Sequence, residues 1–249
     1  MKVVACMPVY GRRRLLSRTI TRLYEKNKVF KVICAGDGPK DREIAERYGA
    51  EWVQVPNYPL GHKWNEAFAA AEKYNPDACL FIGSSDWLED KWLDVTLPML
   101  KKGDMVGTPD FTMCDIRRGV TRVAYWSGYP KGSGRENEPV GGGRILSNKL
   151  LKGMNWRPFD AGWDNSMDYS MRLHAERLGA KTVLLPNGTI TVLTMSSDKW
   201  QNKHNYDREM KTMQATEMSS EDGIAFLAEK FPEALSLFDD EMWNKQRGI

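Results

Sequence analysis

Apolar residues run without a break through "VVACMPV", "VICA" and "ACLFI". Between these runs they recur every three or four positions instead. Continuous apolar runs suit strands buried on both faces, and the longer period suits helices laid against them. "RLLSRTITRLYEKN" places Leu16, Ile20 and Leu23 on one helical face. "PKDREIAERYG" reads as a helix opened by Pro39 and closed by Gly49, and "AEWVQV" as the strand after it. "GHKWNEAFAAAEKYN" then puts Trp64, Ala67, Phe68 and Ala71 on one side of a third helix. This strict alternation predicts an α/β domain: a mainly parallel sheet with right-handed crossovers, flanked by helices.

The second half is patterned differently. "GGGRILSNKLLKGMNW" reads as a flexible glycine loop followed by a helix, and "TVLLP" with "TITVLT" as a strand pair turned at Asn187-Gly188. From Tyr206 onward the pattern predicts two or three amphipathic helices, packed on the domain or joining two copies as a homodimer. The expected organisation is a nucleotide-binding half over 1–100, an acceptor-binding half over 101–195, and a closing loop with a helical C-terminal extension over 196–249.

Composition narrows the classes. With 249 residues, 41% of them hydrophobic, the chain can fill a real core. No apolar stretch reaches the length of a membrane span, and "MKVVACMPVY" does not read as a secretory signal, so a cytoplasmic protein is expected. Cys6, Cys34, Cys79 and Cys114 are too widely spaced for a zinc knuckle or a disulfide framework. The net charge of +3 is uneven. Residues 101–157 carry eleven Lys and Arg against five acids, net +6, so the rest of the chain carries −3. Such a segment suits a solvated, phosphate-binding surface, with a polyanionic partner as the second reading.

In open α/β sheets ligands bind beyond the carboxyl ends of the strands. Polar residues gather there: Pro8, Tyr10 and Arg12 to Arg14 after the first strand, Asp37-Gly38-Pro39 after the second, and Ser84-Ser85-Asp86 after "ACLFI". Neither G-x-G-x-x-G nor a Walker loop follows the first strand, which disfavours dinucleotide and P-loop chemistry.

Four segments in order, "PVYGR", "AGDGPKD", "NYPLGHKWNEAFAAA" and "FIGSSDWLE", resemble the nucleotide-sugar glycosyltransferases of the GT-A (Rossmann-like) fold, family-2-like, over roughly residues 3–95. A further segment, "RPFDAGWDNSMDYSMRLHAERLG", extends the resemblance over roughly 140–180. The resemblance implies that Pro8, Tyr10, Arg12 and Asp37 hold the nucleobase end of the donor. Asn57, Gly61, Lys63 and Asn65 match the third motif, with Lys63 counted among the donor-binding residues. Ser85 matches the position that touches the ribose. Asp86 matches the carboxylate that holds Mn²⁺ or Mg²⁺, while two acids of that motif are replaced by Gly83 and Ser85. Asp86 can equally serve as a helix N-cap before "WLEDKWL". The catalytic base falls to Asp168 or Asp164, because a strict alignment puts Ser166 in its place. These two aspartates are four residues apart, on one helical face, so both can point into the same cleft, with helix capping and pairing to Arg172 as their structural alternatives. Related enzymes close a C-terminal loop over the diphosphate with a His or Lys, which points to Lys199 and to His204, the latter also a candidate metal ligand.

The reading that follows is a metal-assisted, inverting hexosyl- or pentosyltransferase. Its donor would be a nucleotide sugar, a UDP-sugar first, and its acceptor a hydroxyl on a glycan or on a hydroxylated DNA base, as in virus-encoded DNA modification. A nucleotidyltransferase and a non-catalytic sugar-binding module are the alternatives. Among nine tryptophans, Trp87, Trp126, Trp156, Trp163 and Trp200 fall near expected loops or helix starts, where indole faces can stack on sugars or bases.

Overall fold

The computed structural model describes residues 1–116, 122–196 and 206–238. In chain order its elements are β1 (Val3–Pro8), α1 (Arg13–Glu25), β2 (Lys31–Gly36), α2 (Pro39–Arg47), β3 (Glu51–Gln54), α3 (Leu60–Ala71), β4 (Ala78–Phe81), β5 (Asp86–Leu88), α4 (Trp92–Thr96), β6 (Met105–Gly107) and β7 (Phe111–Asp115). There follow β8 (Arg122–Trp126), β9 (Arg144–Ser147), α5 (Asn148–Gly153), α6 (Met167–Arg177), β10 (Thr182–Leu184), β11 (Val192–Ser196), α7 (Tyr206–Met213), β12 (Thr216–Glu217) and α8 (Ser220–Lys230), with 232–238 also helical.

The main sheet has the order β10-β6-β9-β4-β1-β2-β3. All its strands run parallel except β9, which is antiparallel to both β4 and β6. Alternation along β1 divides the core. Val3, Ala5 and Met7 join Leu16, Ile20 and Leu23 of α1 in one layer, while Val4 and Cys6 join Phe68 of α3, Leu151 of α5 and Met171 of α6 in the other. The expected mainly parallel sheet with flanking helices is the observed one. Cys6, Cys34, Cys79 and Cys114 are all buried thiols.

The second sheet, β12-β8-β7-β11-β5, corrects two expectations. The segments around Asn187-Gly188 do not form a hairpin: β10 extends the main sheet beside β6, and β11 lies in the second sheet between β7 and β5. The physical reason lies in the turn itself. The turn closes through the Thr189 N–H and the Pro186 carbonyl at 3.2 Å, but the Gly188 N–H also donates to buried Asp110 at 2.7 Å and the Asn187 side chain to the Ser127 carbonyl at 2.7 Å, which ties it to neighbouring loops while the flanking strands pair elsewhere. The glycine loop at 141–143 and the helix after it, α5, are both present, but the four residues between them, Arg144–Ser147, form β9 inside the sheet rather than part of the loop or the helix.

The C-terminal helices cover the second sheet. Leu227 and Phe231, with Ala234, Leu237 and Phe238, bury against Leu15, Trp87, Val123, Leu193 and Met195. Of the two dockings expected for these helices, the apolar faces of α8 and 232–238 take the one on their own domain. Among the described residues no helix is long and apolar enough to cross a membrane.

Candidate active site

The carboxyl ends of β1, β2, β3 and β4 open on one side, and the loops there are fixed by a few polar side chains. Asp41, buried in the first turn of α2, accepts from the Gly11 N–H at 2.8 Å and the Arg13 guanidinium at 3.0 Å, which pins the loop between β1 and α1. On that loop Arg12 takes a left-handed conformation (φ 52°) and donates to the Ser85 hydroxyl across the mouth. Tyr10, beside it, is half exposed. Lys63 lies beneath the loop, 2% exposed. Its ammonium donates to the Val9 carbonyl and, at 2.6 Å, to Asn57 Oδ1, and Asn57 in turn donates to the exposed carboxylate of Asp37. Burial pushes the Lys63 amine down to about 8, against the pull of Asp37 and Asp41.

Asp86 opens β5 and caps no helix, since the segment after it pairs with β11 as a strand. Its carboxylate folds back to accept from the Gly83 N–H at 2.9 Å and from Thr194 Oγ1 at 3.0 Å. A Cβ at position 83 would lie 2.6 Å from Asp86 Oδ2, so this orientation requires the glycine that replaces an acid of the motif. A Cβ at Gly142 would stand 3.1 Å from the same oxygen, and one at the adjacent Gly141 would stand 3.8 Å from Asp168 Cβ. Two neighbouring glycines before β9 thus separate Asp86 from Asp168.

Asp168 sits in the first turn of α6. Its Oδ2 accepts from the Tyr129 hydroxyl and from Arg135, each at 2.6 Å, with Arg144 at 3.9 Å. Glu138, wholly buried, binds Arg135 through both oxygens at 2.7 Å and accepts from Arg144 at 3.1 Å. Arg172, named above as the alternative partner of Asp168, lies instead 3.4 Å from Glu138 and 3.2 Å from Glu176. Burial alone would raise the Asp168 carboxyl, but Arg144 and Arg135, with the Tyr129 hydrogen bond, outweigh it and hold the group below the usual aspartate range. Burial and the Asp168 carboxylate together push the Tyr129 phenol up. Arg135 stacks 4.0 Å over the Tyr129 ring and closes the cluster.

Asp164 does not share a helical face with Asp168. It precedes α6 and accepts from the Leu60 N–H at 3.0 Å, so it caps α3. The same loop supplies the next two caps, with the Gly61 N–H donating to the Trp163 carbonyl (2.7 Å) and the His62 N–H to the Ala161 carbonyl (3.0 Å). Asn65 and Phe159 exchange two hydrogen bonds at 2.8 and 3.0 Å. A Cβ at Gly61 would lie 2.0 Å from the Asp160 carbonyl oxygen, which leaves room only for glycine. The matched positions of the third motif are therefore joints: Asn57 and Lys63 brace the donor loops, while Gly61 and Asn65 seat the loop that leads to Asp168.

No protein-family model and no curated protein matches the chain. Solved structures do. S. aureus TarS 1–349 is similar at 17% identity over 78% of this chain and 60% of that one, with a TM-score of 0.55. A longer S. aureus TarS structure is similar at 15% identity over 92% of this chain and 42% of that one, TM-score 0.55. Glucosyl-3-phosphoglycerate synthase from Mycobacterium tuberculosis, in complex with phosphoglyceric acid, is similar at 16% identity over 92% of this chain and 79% of that one, TM-score 0.50. The chain thus spans less than two thirds of either TarS structure. It has the GT-A fold.

On this GT-A fold Pro8 ends β1 in register with Ala35, and Tyr10, Arg12, Asp37, Ser85 and Asp86 gather at one crevice with Asp168 beyond the two glycines. Lys63 lies behind that crevice, and Asp164 under α3. Lys199 and His204 fall outside the described residues. Trp87, Trp126 and Trp156 are buried in the core, Trp163 stacks on Tyr169 at 6.3 Å, and Trp200 also falls outside the described residues. Tyr129 left no trace in the sequence, and Arg135, Glu138 and Arg144 entered there only as members of the charge count of 101–157. For a divalent ion, Asp86 is a single carboxylate rather than part of a cage. Among the described residues no three His, Cys, Asp or Glu are grouped to hold a metal. An ion here would take most of its ligands from diphosphate oxygens and water.

Proposed function

We propose that the chain is a glycosyltransferase that moves a sugar from a nucleoside diphosphate sugar to an acceptor hydroxyl. The observation that carries this reading is the position of Asp168 beside Asp86, across Gly141-Gly142, at the carboxyl ends of a GT-A sheet. A donor with its base near Tyr10 and Asp37 and its diphosphate near Arg12, Ser85 and Asp86 would present its sugar towards Asp168. The role of a carboxylate there is to take the acceptor's proton as its oxygen attacks the anomeric carbon, and the diphosphate leaves from the opposite face with inversion. The bonds from Tyr129 and Arg135 both fall on Oδ2, so the hydroxyl approaches Oδ1. Arg12 is the described cation placed to offset charge on the leaving diphosphate. In the metal-assisted form of the same reading, Asp86 would hold Mn²⁺ or Mg²⁺, which would offset charge on the leaving diphosphate; Lys199 and His204, the other groups expected there, lie outside the described residues.

A neutral glycan hydroxyl suits the site better than a DNA base. Arg122, Arg135, Arg144, Lys149 and Arg157 of the basic segment all face carboxylates of this chain. A UDP-sugar is the first donor to test. Thermal-shift screening of nucleotide sugars identifies the donor, since stabilisation grows with ligand concentration over Kd. Transfer by the Asp168→Asn variant is then expected to fall by about 10²–10⁴ with donor binding intact, the usual worth of a positioned base. Asp164→Asn, which changes a helix cap, is expected to cost far less in turnover. Undiminished turnover in Asp168→Asn, or a product with retained configuration, would overturn the base.

A further inference from the structure

The donor side of the crevice contains a buried cation that touches no open surface. Lys63 sits at the point where three loops meet. It holds the Val9 carbonyl of the loop after β1, it holds Asn57 of the loop after β3, and through Asn57 it holds Asp37 of the loop after β2. The ring of Tyr10 lies 5.9 Å from its nitrogen. The charged and titratable groups around it are Asp37, Asp41 with its partner Arg13, and the Tyr10 phenol.

Building on the donor site argued above, we propose that Lys63 is a positioning residue: its buried ammonium, relayed through Asn57, sets the Asp37 carboxylate and the Tyr10 loop for a nucleoside diphosphate. It makes no direct contact with the donor. Geometry supports this over direct contact, since the amine is 2% exposed and two of its three protons already point at Val9 and Asn57. The relay is sensitive to protonation because one charge orders all three loops. Burial brings that charge within reach of mild alkali, with the amine titrating at about 8.

Stability and binding are expected to move in opposite senses. Folding disfavours this ammonium, so the cost of burying it is present below about pH 8 and fades as pH rises towards the unfolded value near 10.4. Donor binding needs the ammonium, so it weakens over the same window. At pH 9.5 only about 3% of Lys63 stays charged, which would lower apparent affinity roughly 30-fold relative to pH 7. A residue that merely filled space would show no such divergence.

The test titrates the intact protein with UDP, GDP, ADP and CDP by calorimetry, in EDTA, from pH 6.5 to 9.5. In parallel, the side-chain amide of Asn57 is followed by ¹⁵N NMR without ligand. The wild type is expected to lose affinity above pH 8 and its Asn57 amide to shift with the same midpoint. Lys63→Met should bind weakly and without pH dependence, and Lys63→Arg should restore binding that stays flat to pH 9.5. Asn57→Ala should match Lys63→Met, and the double variant should add nothing further. A pH-independent wild-type affinity, an Asn57 amide that ignores pH, or an unchanged titration in Lys63→Met each overturns the relay. Failure of all four nucleotides to bind would overturn the donor reading and the relay's role in binding with it, while the Asn57 titration still decides the relay itself.

Discussion

Gly83 shows how one missing side chain can orient a functional one. It has no positive φ, so its backbone would accept alanine, but the added Cβ would press on Asp86 Oδ2 at 2.6 Å. Gly83→Ala is therefore expected to leave thermal stability near wild type while turning the Asp86 carboxylate away. Turnover in the transfer assay should fall about 10²-fold, the scale of a misplaced reacting group. Undisturbed turnover would separate Asp86 from the chemistry. Asp168 gives a pH signature. Its folded carboxyl lies below the ordinary aspartate range, so its contribution to stability is full above pH 4 or so and is lost as pH falls through the lower, folded value. The gap in unfolding free energy between wild type and Asp168→Asn should accordingly close towards pH 2; a gap that widens in acid would contradict the ion pairs with Arg135 and Arg144. Asp37, Ser85 and Asp86 were readable because strand ends and motif order place them. The partners of Asp168 were not, because nothing local to Tyr129 or Arg135 says which carboxylate, over thirty residues away, each will meet.

Among the elements, β1 to β4, α1 and α3 were legible from periodicity and α2 from the Pro39 and Gly49 that bound it, since apolar runs, 3.6-residue spacing and helix-end residues are all local signals. β9 escaped because three glycines precede it and suggest a loop. Its strand character comes from pairing with β4 and β6, which is not written in its own four residues. The Asn187-Gly188 signal was real as a turn and misleading as a hairpin, because the strands on either side found partners in different sheets. α3 reads as an ordinary amphipathic helix, yet its first three N–H groups depend on a loop a hundred residues later. Gly61→Ala should force that loop away from the helix and cost about 3 kcal/mol or more, measured by denaturant unfolding. A change within a few tenths of a kcal/mol would mean that the loop yields easily.

At the scale of the molecule, the C-terminal helices belong to the core of the second sheet. Phe231 is fully buried against it, so Phe231→Ala is expected to cost about 3–5 kcal/mol in equilibrium unfolding. A neutral result would leave the packing of 220–238 energetically idle. The basic excess of 101–157, conspicuous as a sum, is partly matched by acids from elsewhere in the chain, with Asp207 and Glu217 at Arg122, Asp168 at Arg135 and Glu66 at Arg157, a balance that only the fold reveals. Arg117 and Arg118 lie outside the described residues. Binding to duplex DNA is accordingly expected to be weak between 50 and 200 mM salt, with a shallow dependence of log affinity on log salt. A steep slope would restore the polyanionic acceptor.

The loop that caps α3 also limits how this scaffold can be re-engineered. Exchanging acceptor-side segments between transferases is an obvious route to new products, and residues 155–178 would be the natural cassette. Here that cassette carries the caps of a helix outside it and needs a glycine at 61 and an asparagine at 65 to receive it. A chimera that imports the segment alone inherits a mismatched socket, and because Lys63 lies between those two positions on the same helix, the damage would surface first as poor donor binding.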